Sequence, residues 1–338
     1  MNQKSLIILF IINLFLPSFF LPFSYALQKK TISSKQTISP EIKSIQISSH
    51  YAHVQLKKIR SKKNQLIIHH SIPLEVRTKD SVLLISEKNF PQKKYAKKII
   101  KKKPSITVHA PSQLPITITL FSGEVSVSAF WKTDLSIMIA NKGTVRTNHT
   151  KGALNIYQRE GQIKITSHKG SLNIQSEDSK INLYSCEGNI NLQSFKGKIS
   201  VNKSTGSLFL STFKSPLILN HFTGSLKFHQ EKGGVYLKPM IGSISGYSNE
   251  GEIRGAIHPH QVNIETKKGA INLDLPHSKA WVTAQTWEGK IYTPIYFHRI
   301  KTGGMDRSKG QLRGSKNKAA NVSLKSYSGV IRVHQSTL

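Results

Sequence analysis

Glycine recurs on a nine-residue grid through the middle of the chain. It stands at 143, 152, 161, 170, 188, 197, 206, 224, 233, 242 and 251, so every interval is nine or eighteen. The skipped grid positions carry Ser179 and Ser215, and one more skip at His260 leads to Gly269. Glycine averages about 7% of residues in proteins, so regular spacing is the information here, and a fixed period marks a repeat architecture. Apolar residues sit two and four positions after each anchor. Examples are Leu154/Ile156, Ile163/Ile165, Leu172/Ile174, Ile181/Leu183, Ile190/Leu192, Leu208/Leu210, Leu226/Phe228 and Ile271/Leu273. The residues between them are polar, as at Asn155, Lys164, Asn173, Asn182 and Asn191. Alternation of this kind predicts a short strand with one buried face.

One strand of about five residues cannot bury its apolar side alone. Two nine-residue modules per 18-residue coil put two strands back to back, and successive coils then stack in parallel at ~4.8 Å. Glycine at the corner lets the chain bend where a Cβ would clash. Ser or Thr six positions after the anchor (Ser167, Ser176, Ser185, Ser194, Thr212, Ser248, Thr266) adds a turn former. The competing arrangement is a sandwich of antiparallel hairpins, which favours Asn-Gly or Asp-Gly turns. Lys, Glu or Thr usually precedes the anchor instead. The predicted fold class is therefore all-β, a single-stranded parallel β-solenoid (β-helix) with two modules per coil, of roughly seven to eight coils. Gly246 and Gly255 fall on inward positions and predict a thinner or kinked coil near 242–256.

The ends of the chain organise around this ladder. Residues 1–26 read as a secretory signal, with Lys4 before an apolar run and Ser24-Tyr25-Ala26 before the cleavage point. No later apolar run is long enough to span a bilayer, so an exported chain is expected, in the periplasm, at the cell surface or outside. A polar linker follows at 27–41, then a basic β-rich lead-in segment at 42–121, then solenoid repeats over 122–338. A basic, glycine-containing loop insertion over 299–319 is expected to precede a terminal coil at Val322–Val333. Cys186 is the only cysteine, which rules out an internal disulfide; it is read as a buried filler.

Charge is the second constraint. The chain carries 49 Lys and Arg against 17 Asp and Glu, a formal net charge of +32. Residues 27–120 alone hold 19 Lys and Arg against 4 Asp and Glu. The densest clusters are Lys57, Lys58, Lys62 and Lys63, then Lys93, Lys94, Lys97, Lys98, Lys101, Lys102 and Lys103. These lysines are the candidate polyanion-binding residues. The expected partners are anionic envelope polymers, such as lipopolysaccharide phosphates, teichoic acids or acidic polysaccharide. DNA would be held without base readout, since Phe and Tyr are not interleaved with Lys as a stacking platform. The alternative is a solvated lysine surface that keeps an edge-rich β protein soluble.

Catalytic chemistry finds little support. A β-helix lyase or hydrolase needs clustered carboxylates, whereas Asp80, Asp134, Asp178, Asp274 and Asp306 are scattered and none recurs at nine or eighteen. The calcium roll needs an aspartate in every module, and these modules lack it. His69-His70 and His258-Pro259-His260 are weak metal candidates without nearby carboxylates, read as exposed loop histidines. No catalytic, cofactor or metal residues are assigned.

The layout resembles a group of bacterial β-strand-repeat proteins classed as candidate adhesins, related to the auto-transporter-adhesin-head-like domain. The resemblance rests on the stretch Ile106-Thr107-Val108-His109-Ala110-Pro111 to Pro115-Ile116, and on Ser122-Gly123-Glu124-Val125-Ser126-Val127 directly after it. The Gly-x-[Ile/Leu]-x-[Ile/Leu] ladder and the closing Ser328-Gly329-Val330-Ile331-Arg332-Val333 complete it, over roughly residues 41–335. It implies the solenoid fold and a non-enzymatic, adhesin-like or scaffold role, and it carries no catalytic residues. The chain departs from the group in its wealth of lysine and scarcity of aspartate. A carbohydrate-active β-helix enzyme and a purely structural envelope protein are the alternatives.

Overall fold

A strand that alternates Ile and Leu with Asn and Lys, and meets a glycine every nine residues, can bend at the glycine without leaving its ladder. The computed structural model shows this directly. It describes residues 32–59, 65–88, 104–111, 113–131, 133–276, 278–294, 297–313 and 319–336, all within the unit Thr31–Leu338. These residues form strands and turns with no helix among them, joined in one 23-stranded sheet. One turn is commonly a single long strand folded at a corner. In β9 (Leu154–Lys169), Leu154 and Ile156 point into one layer, the chain bends at Gly161, and Ile163 and Ile165 point into the opposite layer.

Successive turns pair in parallel, like residue above like residue, 18 positions apart through the regular middle. Leu154 lies on Leu172, Leu172 on Ile190, Ile190 on Leu208 and Leu208 on Leu226. We call the layer containing Leu154 the first face and the layer containing Ile163 the second. Nine turns follow one another in chain order, starting at Ile116, Leu135, Leu154, Leu172, Ile190, Leu208, Leu226, Ile244 and Val262. The core is the inward row of each face, and nearly all of these side chains are fully buried. Each contributes on the order of 1.5–3 kcal/mol of burial.

The chain does not simply start at one end of the stack and stop at the other. The first long strand, β2 (Ser44–Lys58), lies one rung in. It is flanked by β7 (Ile116–Trp131) on one side, and by β5 (Val82–Glu87) and β6 (Ser105–Ala110) on the other. The last strands, β22 (Ala320–Ser328) and β23 (Ile331–His334), are also one rung in. Val322 sits between Val262 and Val282, and Ile331 between Ile271 and Ile291. The segment 42–121 thus contributes rungs to the same stack, and the closing module is the second-to-last rung where a terminal one was expected. The nine sequential turns with two rungs at each end make thirteen rungs, more than the seven to eight expected, because the coil extends past the strict glycine grid.

Antiparallel strands cover both ends. At one end β4 (Leu74–Lys79) pairs with β5, and β3 (Gln65–His70) pairs with β6. At the other, β21 (Met305–Leu312) pairs with β18 (Ala280–Thr286), and β20 (His298–Thr302) pairs with β21. The stretch expected as a basic loop at 299–319 is in large part this hairpin. It occupies the hydrogen-bonding edge that an open parallel stack would leave unpaired. Arg299 Nε donates to Asp306 Oδ1 at 2.9 Å, a second guanidinium nitrogen reaches Oδ2, and the pair holds the Asp306 carboxyl below its ordinary range.

The glycine columns have a sharper cause than bending. A Cβ on Gly224 would lie 1.9 Å from the carbonyl oxygen of Gly206 in the rung below, and φ is +138°. The neighbouring rung therefore occupies the space of the missing side chain. Gly246 answers a different need, because the ring of Phe228 fills its inward site. The kink expected near 242–256 appears as register shifts between β15 (Val235–Glu250) and β16 (Ile253–Lys268), at Leu237/Met240 and Gly242/Ser243.

Two buried columns line the corners, one polar and one that passes from polar to apolar. Along one run Gln158, Ser176, Ser194, Thr212, Gln230, Ser248 and Thr266, all buried. Gln158 Nε2 donates to the carbonyls of Gly143 and Glu160, and Gln230 Nε2 to those of Ser215 and Lys232, each serving a backbone acceptor at the bend. Along the other run Thr150, His168, Cys186, Ser204, Phe222 and Met240. Burial pushes the Cys186 thiol up to about 11, in keeping with an inert filler.

Candidate polyanion-binding face

Stacking in register turns an 18-residue repeat into columns, so a charge that recurs at that interval becomes a line of charge on one face. Lys180 and Lys198 project from adjacent rungs of the second face, and the Ile181–Ile199 pairing fixes their register. Arg146 and Lys164 form a second such pair beside them, one above the other in register. All four are exposed, as is Lys57 farther along the same face. Lys238, Arg254 and Lys290 extend the row toward the other end, with half-buried Arg332 among them.

Carboxylates do little to offset this row. Most of the acidic side chains near it are held at corners by stacked cations. Lys196 meets Asp178 at 2.9 Å, Lys169 meets Glu187 at 2.6 Å, Lys232 meets Glu250 at 2.9 Å and Lys142 meets Glu160 at 3.9 Å. On the second face itself, Glu124 engages Arg146 at 3.0 Å and Glu252 reaches Arg254 at 3.9 Å, while Lys164, Lys180, Lys198 and Lys238 make no ion pair among the described residues. The exposed pairs add little stability. Their consequence is that the free charge of the second face is cationic.

Toward the C-terminal rungs this face gains aromatic partners. The Arg254 guanidinium lies 5.4 Å from the centre of the Tyr236 ring, and that of Arg332 lies 5.1 Å from Tyr292. A shallow cavity of about 300 Å³ opens beside Tyr236, Lys238, Arg254 and Asn272. Gly255 forms part of its wall; a Cβ there would meet the Leu237 carbonyl at 2.0 Å. Asp274 also lines the cavity, accepting from Ser336 N and Oγ at 2.9 and 2.6 Å, and Glu252 lies 3.9 Å from Arg254. The cations here are thus partly offset, and Lys238 is the one without a carboxylate partner among the described residues.

Of the lysines expected to form the site, Lys57 and Lys58 are exposed at the end of β2. Lys62, Lys63, Lys93, Lys94, Lys97, Lys98, Lys101, Lys102 and Lys103 lie outside the described residues. Lys57 sits in register with His109 of β6, whose ring packs edge-on against His69 at 5.6 Å. Burial, then the charges of His69 and Lys57, lower the His109 pKa. His70, expected in an exposed loop, is instead buried, and its Nδ1–H donates to the Ile72 carbonyl at 2.5 Å. No cluster of three metal-ligating side chains occurs among the described residues.

The second-face cations went unnoticed in the sequence because each occupies an ordinary polar slot. Their signal is the 18-residue interval from Lys180 to Lys198, which gains meaning once alternate modules are assigned to opposite faces. The same assignment separates the Asn ladder. Asn155, Asn173 and Asn191 share the first face, and Asn182 belongs to the second.

The model of the Toastrack DUF4097 family matches residues 42–334, and the chain belongs to that family. Among solved structures it is similar to a candidate adhesin from Bacteroides fragilis, at 17% identity and a TM-score of 0.36, spanning 73% of this chain and 97% of that one. It is also similar to a candidate adhesin from Parabacteroides merdae, at 13% identity and a TM-score of 0.35, spanning 72% and 96%. A third is a candidate lipid-binding protein from Parabacteroides distasonis, at 14% identity and a TM-score of 0.29, spanning 72% and 96%. No curated protein matches the chain. At these identities and scores, no residue role passes from any of the three structures to this chain. Among the described residues, no helix is long and apolar enough to cross a membrane.

Proposed function

We propose that this protein is an exported, non-enzymatic binding scaffold that attaches to anionic polymers of the cell envelope through its second face. The supporting observation is the set of exposed cations on the second face, Lys164, Lys180 and Lys198 on three consecutive rungs ~4.8 Å apart and Lys238 two rungs farther on, none in an ion pair among the described residues. A flexible polyanion laid along the stack meets several of these at once. Affinity then grows through many weak contacts and needs no deep pocket. The leading residues 1–26 and the surplus of charge agree with export to a phosphate- and carboxylate-rich setting.

The test is co-sedimentation of the chain with lipopolysaccharide and with an acidic polysaccharide across a salt series. Binding should fall steeply as salt rises. A K164E/K180E/K198E variant should bind several-fold more weakly and with a shallower salt dependence. Binding that is unchanged from low to high salt would sink the electrostatic reading.

A further inference from the structure

The first face is unlike the rest of this cationic chain. From Leu154 to Ser211 its outward positions carry Asn155, Asn173, Asn191 and Phe209 in one row and Tyr157, Gln175, Gln193 and Ser211 in the next. No ionised side chain interrupts them. Beside these rows Phe195 and Phe213 stack on each other from adjacent rungs, centres 4.8 Å apart and planes 7° from parallel. They remain 52% and 36% exposed. Two large apolar rings stacked in water beside rows of amides, with Tyr157 and Phe209 also exposed on the same face, mark a contact surface more readily than chance exposure.

The rings form one wall of a groove of about 440 Å³. Gln175, Gln193 and Ser211 line the side opposite, buried Ser176, Ser194 and Thr212 lie between, and Tyr157 and His229 stand near its two ends. The span from the Tyr157 rung to the His229 rung is roughly 19 Å at ~4.8 Å per rung. Carboxylates sit at both ends of the ring wall. Glu177 is bonded to the Tyr157 hydroxyl and lies 3.8 Å from Arg159, and Glu231 lies 3.5 Å from His229. Lys214 has its ammonium 5.6 Å from the centre of the Phe213 ring.

We propose that this groove is a binding site for an uncharged polysaccharide strand running along the stack. Amides offer both donors and acceptors, as the hydroxyls of a sugar require, and carboxylates accept from paired hydroxyls. The aromatic wall accommodates the apolar C–H side of a sugar ring. The rung spacing is comparable to one sugar unit, so adjacent rungs, with Gln175 and Gln193 on one side and Phe195 and Phe213 on the other, can meet successive units. Glu177 and Glu231 offset Arg159 and Lys214, so the groove offers a polyanion no net attraction, whereas the second face does. The two faces would thus hold different polymers.

The probe is affinity gel electrophoresis of the full chain in gels containing dextran, mannan, xylan or mixed-linkage β-glucan. At least one should retard the protein, and retardation should not change when salt is raised. The Phe195→Ala/Phe213→Ala double variant should lose roughly tenfold in affinity. A separate Gln193→Ala variant should weaken binding with no change in melting temperature, since that side chain is exposed. The K164E/K180E/K198E variant should be retarded as the parent is. Absence of retardation in all four gels overturns the proposal. So does retardation that survives the double variant or is abolished by salt.

Discussion

At Gly224 a side chain and a neighbouring rung compete for the same space. Alanine there would place its Cβ 1.9 Å from the Gly206 carbonyl oxygen, at a backbone φ of +138° that alanine rarely adopts. Gly224→Ala should cost at least ~2 kcal/mol, since rung separation and backbone strain add. Denaturant unfolding would show this as a lower midpoint, and an unchanged midpoint would contradict the stacking account. His168 makes a second residue-scale case. It is buried between Thr150, whose hydroxyl donates to Nδ1 at 2.9 Å, and the Ser171 carbonyl, which accepts from Nε2 at 3.2 Å. Burial lowers its pKa from 6.5, more than the Ser171 bond raises it. The unfolded chain therefore binds this proton more readily than the folded one. Stability should be full above about pH 6.5 and fall as pH drops toward and through the lowered folded value. His168→Gln should flatten that slope in melting curves between neutral and mildly acid pH. A slope identical to the parent's would assign the acid sensitivity to other groups.

Single elements repeat so closely that sequence fixes each rung's shape more firmly than its neighbour. Val322 and Leu324 carry nearly the same apolar pair as Val262/Ile264, and Val282/Ala284 shares its valine. Nothing in their side chains announces that they belong between those two. Period and strand direction were therefore legible from residues, as were the inward pairs, the kink at Gly255 and the glycine corners. The order of rungs at both ends was not, because it depends on which edges the antiparallel strands β4, β3 and β21 cover. The candidate site was legible as a charge surplus and illegible as a face, since Lys164 and Lys180 look alike until odd and even modules are separated. The slotted C-terminal rung has a mechanical consequence. A chain ending at residue 313 would lack the layer between β16 with β17 (Ile271–Asp274) and β18 with β19 (Ile291–Tyr292), and would leave Val262, Ile264, Ile271 and Leu273 without their upper partners. Such a truncation should unfold at distinctly lower denaturant and expose parallel edges that associate. Size-exclusion chromatography and urea titration would report both effects. A monomeric chain with the parent's midpoint would show that the final rung is dispensable.

Across the whole molecule, charge works against folding and for binding, and the two effects respond to salt with opposite signs. A net charge of +32 on one chain repels itself, and stacking rungs in register brings Lys180 toward Lys198 and Arg146 toward Lys164. Screening relieves that repulsion, so the melting temperature of the free protein should rise as salt increases. A polyanion added at low salt should stabilise the chain further, because it binds the ordered row of cations better than a disordered chain and shifts the equilibrium by mass action. Raising salt in that mixture weakens the complex while it strengthens the free fold. The stabilisation due to polyanion should therefore shrink, and the two melting curves, with and without polyanion, should converge at high salt. The K164E/K180E/K198E variant carries six fewer units of positive charge on one face. It should melt higher than the parent at low salt, gain less from salt, and gain little from polyanion. If the variant gained as much from polyanion as the parent does, the attachment would have to reside in other lysines. A parent indifferent to both salt and polyanion would instead mean that the charge is merely solvated.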